Sequence, residues 1–295
     1  MNNRYAPHEQ YVLPAQEKSE PWRILCVLAL GFAGGLFVFQ FVLAMFGAMF
    51  GADAPVTLLG EPGLPSTPVQ TVFSLLSYGF FLIALLSVVR MLHDRGLRSL
   101  IGSQNAVISM GLRAFFASCA VLLLVMIVLP TSYDLSRSDV TIGQWLTIMP
   151  VIIVGVLVQA GSEEIVFRGY LQQQMAAWIN HPVAWIGVPA VVFGLAHYHS
   201  AAEGNLMWFI GWAILFGILT ADLTARTGNL GAAIGLHVAQ NFFAFAVTSI
   251  EGNSVGTSLY SVPLSLAGPE VPWLIVLDAG VLILSWLAVR NVLRV

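Results

Sequence analysis

RILCVLALGFAGGLFVFQFVLAMFGAMF, residues 23–50, carries a single charged side chain, Arg23, at its very start. A helix rises about 1.5 Å per residue, so this stretch is longer than the roughly 30 Å hydrocarbon core of a bilayer. A helix that is apolar on every side needs lipid, or the middle of a large core, as its solvent. Further apolar stretches follow near 69–92, 107–129, 148–172, 182–198, 206–225, 229–250 and 272–290. Backbone N–H and C=O groups in hydrocarbon must be satisfied within the segment itself, which selects helices. The expected fold is therefore all-α, a polytopic membrane bundle of about eight transmembrane helices.

The rest of the composition agrees. Of 295 residues, 58% are hydrophobic and only 9% charged, and the mean hydropathy is +0.83. A soluble domain has about 25% charged residues, so this chain could not cover a water-facing surface. Residues 1–21 are polar and read as a cytoplasmic tail ahead of a single transmembrane domain over 22–295. They do not have the pattern of a cleaved signal peptide. Cys26 and Cys119 sit in apolar spans, as buried thiols rather than a disulfide framework. The net charge of −3 is weak and dispersed, which excludes a nucleic-acid surface. Turn residues cluster at 60–65, at 130–139, at Asn180-His181-Pro182 and at Gly268-Pro269. Gly31/Gly35, Gly47/Gly51 and Gly231/Gly235 are four apart and allow close helix packing.

Lys and Arg set the expected orientation. With the N-terminus in the cytoplasm and eight spans, eleven of the twelve basic residues fall on the inner side, and only Arg137 falls outside. Both termini are then cytoplasmic. Asp53, Glu61, Asp134, Asp139, Glu203, Glu251 and Glu270 fall in the outer loops.

Ionisable groups within spans cost about 2.5–3.5 kcal/mol each on insertion scales, so each calls for a partner or a purpose. Here they are concentrated. The fourth span reads QAGSEEIVFRGYL over 159–171, the fifth ends in Phe193-Gly194-Leu195-Ala196-His197, and the seventh holds His237-Val238-Ala239-Gln240-Asn241. Glu164 and Arg168 are one helical turn apart and can pair. Glu163 points about 100° away from Glu164, toward a neighbouring helix. His237 and Asn241 share a stripe. Counted along the chain, Glu163 and His237 lie at similar depth, whereas His197 comes out deeper, so the fifth span must tilt, start low or be partly re-entrant. His199 reads as a solvated interfacial side chain, Phe193 as packing, and Asp222 as a partner for Arg226.

These motifs resemble those of the CPBP family, the CAAX protease and bacteriocin-processing group of intramembrane proteases that includes the type II CAAX prenyl endopeptidases. The paired glutamate with its arginine is present as Glu163, Glu164 and Arg168, the Phe-to-His motif as Phe193 and His197, and the His-to-Asn motif as His237 and Asn241. Arg226-Thr227-Gly228-Asn229-Leu230 is similar to the family's approach to its third motif. The likeness covers about residues 145–250.

The resemblance implies an endopeptidase of the membrane. Glu163 would be the general base on a water, assisted by His197, and His237 and Asn241 would donate to the oxyanion. Glu164 with Arg168 would hold the helix and tune the charge around Glu163. No cofactor is required in the favoured version, and zinc on Glu163, His197 and His237 is the alternative. The substrate would be a membrane protein or lipidated peptide, with the bilayer as the other partner and no nucleic acid. The chain looks like a compact prokaryotic member, placed in the inner or plasma membrane. Two other classes use buried Glu and His: a proton-coupled transporter, and a catalytically silent scaffold or immunity protein. The first is expected to show a Gly/Pro-broken internal repeat, which the sequence lacks. The second has no chemical reason to keep all four polar groups.

Overall fold

The structure is a computed structural model that describes residues 4–51, 53–60, 66–128, 136–198, 200–250 and 257–295. The turn residues 61–65, much of the 130–139 loop, and His199 lie outside the described residues.

Among the described residues, six helical stretches are long and apolar enough to cross a membrane: Pro21–Phe50, Pro68–His93, Gln104–Val128, Ile142–Trp178, Ala201–Thr227 and Val271–Leu293. Two shorter apolar helices, Pro182–Ala196 and Gly231–Val247, complete an all-α bundle. In chain order the helices are α1 (Ala6–Val12), α2 (Pro21–Phe50), α3 (Ala54–Leu59), α4 (Pro68–His93), α5 (Leu97–Ile101) and α6 (Gln104–Val128), then α7 (Ile142–Glu164), α8 (Gln172–Trp178), α9 (Pro182–Ala196), α10 (Leu206–Thr227), α11 (Gly231–Phe242) and α12 (Val271–Leu293). The fifth span thus proves short. Fifteen residues make about 22 Å of helix, less than the hydrocarbon core, so α9 ends within the thickness and leaves His197 at its C-terminal end. The seventh span ends earlier than its apolar run. Thr248–Ile250 leaves the helix as β2 and pairs in parallel with β3 (Tyr260–Val262), which also pairs antiparallel with β1 (Ser136–Arg137).

Burial is inverted relative to a soluble domain. Phe37, Met91, Ile127 and Val183 stand on the outside, while Glu164, Arg168, Gln172, Gln173 and Gln174 are buried. Apolar side chains facing hydrocarbon and polar ones gathered inside is the arrangement a lipid solvent selects.

The glycine pairs act as expected at two places. A Cβ on Gly35 would lie 2.7 Å from the Phe81 Cα, and one on Gly31 would lie 3.1 Å from the Leu85 Cα, so α2 and α4 meet backbone to backbone. A Cβ on Gly231 would lie 2.5 Å from the Val107 carbonyl oxygen, which lets α11 seat against α6. Gly47 faces Pro55, and nothing crowds Gly51.

The polar N-terminal segment folds onto the bundle. Helix α1 and the 3-10 turn Leu13–Lys18 dock on α8 and α10, burying His8, Tyr11, Val12 and Ala15. Tyr5 donates to Asp222 at 2.7 Å and stacks edge-on against Trp185. The His8 ring lies 4.2 Å from that of Trp185, Tyr11 donates to the Leu100 carbonyl, and His93 Nδ1 donates to the Lys18 carbonyl at 2.9 Å.

Candidate active site

Helix α7 is started by a capping box, with Thr141 and Gln144 each satisfying the other's backbone N–H. Directly after Glu163 and Glu164 the helix widens into a π turn, Ile165–Leu171, before it resumes as α8. Helix α11 does the same after Asn241, with a π turn over Phe243–Val247. A π turn inserts a residue and re-aims the side chains beside it, and such turns occur often at functional sites. Two helices carrying the candidate polar pairs both have one.

The third motif is placed by a built turn. Gly228 closes α10 with φ of 65°, the left-handed region where glycine is favoured. Asn229 then donates to the Thr227 carbonyl and accepts from Gly231 N–H at 2.9 Å each, which fixes where α11 begins. His237 follows nearly two turns later, facing α7.

Glu164, Arg168 and His237 converge on one oxygen. Arg168 Nη1 donates to Glu164 Oε1 at 2.9 Å, and His237 Nδ1 donates to the same atom at 2.7 Å. All three side chains are buried. The Arg168 guanidinium also lies 4.4 Å above the Phe193 ring. Phe193 is therefore the apolar floor under the guanidinium as well as packing.

This bonding orients the neighbouring pair. With its Nδ1–H given to Glu164, His237 turns Nε2 toward Glu163 Oε2, 3.6 Å away. Glu163 Oε2 is buried and has no hydrogen-bond partner among the described residues. Asn241 Nδ2 donates to Gln159 Oε1 at 2.6 Å.

Glu163 opens onto a cavity of about 470 Å³ formed by α2, α4, α7 and the end of α9. His197 lies on the same cavity, and its Nδ1 donates to the Phe193 carbonyl at 2.8 Å. That bond places the ring proton on Nδ1, so that Nε2 carries the lone pair. The walls are Phe32, Phe39, Phe81 and Phe167, with Ser77, Tyr78 and Ser162 supplying hydroxyls.

The structure thus brings Glu163 and His197 to one cavity and sets His237 directly behind Glu163. Asn241 stands beside Gln159, and neither His237 nor Asn241 lines the cavity. Asp222 pairs with Arg226 at 2.7 Å, as its spacing suggests. For the zinc alternative, no three His, Cys, Asp or Glu side chains among the described residues are arranged to hold a metal ion. Sequence reasoning missed Gln159 as a partner for Asn241, although its place one turn before Glu163 puts both on one face. It also missed Ser77 and Tyr78, which carry no motif.

Comparison with known proteins adds a family to this geometry. Residues 144–243 match the family described as type II CAAX prenyl endopeptidase Rce1-like. That segment contains all six residues, Glu163, Glu164, Arg168, His197, His237 and Asn241. The uncharacterized protein YyaK of Bacillus subtilis (strain 168) is 26% identical over 256 residues, 83% of each chain. No solved structure matches.

Proposed function

We propose that this protein, whose residues 144–243 match the Rce1-like CAAX endopeptidase family, hydrolyses a peptide bond of a membrane-associated protein with a water activated by Glu163. The observation that carries the reading is the meeting on one cavity of the Glu163 carboxylate and the His197 ring, whose Nε2 carries the lone pair.

In this reading Glu163 takes a proton from water as the water oxygen attacks the scissile carbonyl carbon. The carbonyl π electrons move to oxygen and make an oxyanion. Asn241, half-buried and held by Gln159, and His237, buried and held by Glu164, are the donors assigned to it, and both must turn toward the cavity that Glu163 lines to reach it; an oxyanion donor is typically worth about 2.7–4 kcal/mol. His237 can donate from Nε2 once the proton taken by Glu163 is shared with it. The proton then passes through Glu163 or His197 to the departing amine as the C–N bond breaks. Arg168 pairs with Glu164 and holds it in place so that His237 keeps its orientation, the role of an outer partner to a catalytic imidazole.

This chemistry asks for no ion. Zinc on Glu163, His197 and His237 is the alternative, and it requires those side chains to draw together on one point. Cleavage that survives exhaustive chelation supports the ion-free version. Loss on chelation with recovery on added zinc favours the other.

The test of the reading itself is Glu163→Gln. Membrane proteomes of cells carrying the wild-type and variant chains are compared for proteins that accumulate uncut, while the unfolding temperature of each purified chain is measured. Cleavage should vanish with no loss of thermal stability, because the amide replaces a buried carboxylate oxygen that has no hydrogen-bond partner among the described residues. Unchanged cleavage products in the variant would refute the assignment.

A further inference from the structure

Helix α4 carries Gln70, Thr71, Ser74, Ser77 and Tyr78 at helical intervals of three and four, so they share one face. This face is polar within an otherwise apolar span. Gln70, Thr71, Ser74 and Ser77 line a second cavity of about 290 Å³, and Ser77 and Tyr78 line the Glu163 cavity. The two cavities share Ser77 and Phe39, so they adjoin. From Gln70 to Tyr78 the stripe descends about 12 Å along the helix.

The upper cavity reaches Leu58 and Leu59 of α3, and Ser66 just before α4. The lower one is lined by Glu163 and Ser162, whose Oε2 and Oγ are buried and without hydrogen-bond partners among the described residues. Buried polar atoms left this way are costly unless something fills the space between them, water or a peptide backbone. The end of the bundle where the N-terminal segment docks has the opposite character. Tyr170, Gln172, Gln173 and Gln174 are fully buried there, beneath docked α1 and the turn that follows it.

We infer that Glu163 is reached from the end of the bundle that carries α3, along the polar face of α4. We further infer that the substrate is an extended, outward-lying segment of a membrane-anchored or exported peptide. The step from α3 end to outer face follows from the basic residues: nine of the twelve lie at or near the opposite end, Arg113 and Arg168 lie part-way along their helices, and Arg137 is on the α3 side. The Phe32, Phe39, Phe81 and Phe167 walls fit a bulky apolar side chain next to the scissile bond. A cytoplasmic C-terminus has no approach by this route. The inference rests on the reading of Glu163 as the water-activating group and names the substrate class for it.

Thiol accessibility tests the route without needing catalysis. In a chain with Cys26 and Cys119 replaced by serine, the single variants Ser74→Cys, Ser77→Cys, Gln16→Cys and Leu76→Cys are exposed in intact cells to a charged, membrane-impermeant maleimide. Ser74→Cys and Ser77→Cys should react from outside, and Gln16→Cys, on the docked N-terminal segment, only after permeabilisation. Leu76→Cys, on the exposed apolar side of α4, should react at least about tenfold more slowly, the effect of one pKa unit on thiolate supply. Labelling at 74 and 77 only after permeabilisation, or no faster than at 76, overturns the route. Glu163→Gln chains should label alike, so a failed labelling counts against the route and a failed cleavage assay against the catalytic reading. The substrate class is read from the proteome comparison: cleavage sites lost in Glu163→Gln should lie in outward segments, and cytoplasmic sites overturn it.

Discussion

Replacing Arg168 by methionine, which keeps an unbranched stem but removes the guanidinium, leaves the Glu164 carboxyl without its cation at a buried site. Both side chains are essentially inaccessible, at 1% and 0% exposure, and their ion pair is 2.9 Å long. Breaking such a buried pair from one side costs about 3–5 kcal/mol, because the remaining charge loses its compensation. Loss of the guanidinium over Phe193 at 4.4 Å adds about 0.5–2 kcal/mol. His237 still donates to Glu164 and softens the loss, so about 4 kcal/mol is expected in all. At about 2–4 °C per kcal/mol this is a fall on the order of 10 °C in unfolding temperature. Thermal unfolding in detergent micelles, followed by tryptophan fluorescence, measures it. The double variant Glu164→Gln with Arg168→Met removes both charges and keeps an amide oxygen for His237. It should be more stable than Arg168→Met alone, with a coupling energy of about 2–3 kcal/mol. A fall below about 1 kcal/mol for Arg168→Met, or a double variant whose loss is the sum of the two singles, would refute the buried-pair account.

Three further outcomes are expected. Asn241→Leu should lower kcat about a hundredfold with KM little changed, as for loss of an oxyanion donor, and Gln159→Leu should give a smaller fall in the same direction; a KM effect alone would assign Asn241 to ground-state binding. Gly35→Leu drives a side chain into the Phe81 backbone 2.7 Å away and should cost about 1–3 kcal/mol in thermal unfolding; an unchanged unfolding temperature would mean that α2 is free to shift. Burial pushes His8 down to about 4, whereas in a released segment it titrates near 6.5. The docked state therefore keeps its full stability above pH 6.5 and loses it as pH falls toward 4. At pH 5 the loss is about 2 kcal/mol, or roughly thirtyfold faster amide exchange over residues 5–18 after correction for intrinsic rate. His8→Asn should abolish this difference, and equal exchange at pH 7 and pH 5 in the wild type would refute it.

Much of the site could be read along the chain because its members are local to their helices. Glu164 and Arg168 share a face at any tertiary fold, and so do His237 and Asn241, since one turn of α-helix returns after about four residues. The offset of Glu163 from Glu164 followed from the same geometry, and the short α9 was foreshadowed by the excess depth counted for His197. What was not legible is how the helices face one another. A helix that is apolar on all sides, like α2, gives little periodic signal of which side meets protein and which meets lipid.

The sequence by itself determined the solvent and the chemistry: long uncharged spans demand lipid, and carboxylate, imidazole, guanidinium and amide within them demand one another. Tertiary structure alone decided that Glu164 binds His237, that Gln159 holds Asn241, that α2 and α4 wall the cavity beside Glu163, and that the polar N-terminal segment closes the far end. Periodicity along one helix is a short-range property of the backbone. Contact across helices depends on which shapes fit, as Gly35 fits against Phe81, and that is settled only when the whole bundle packs.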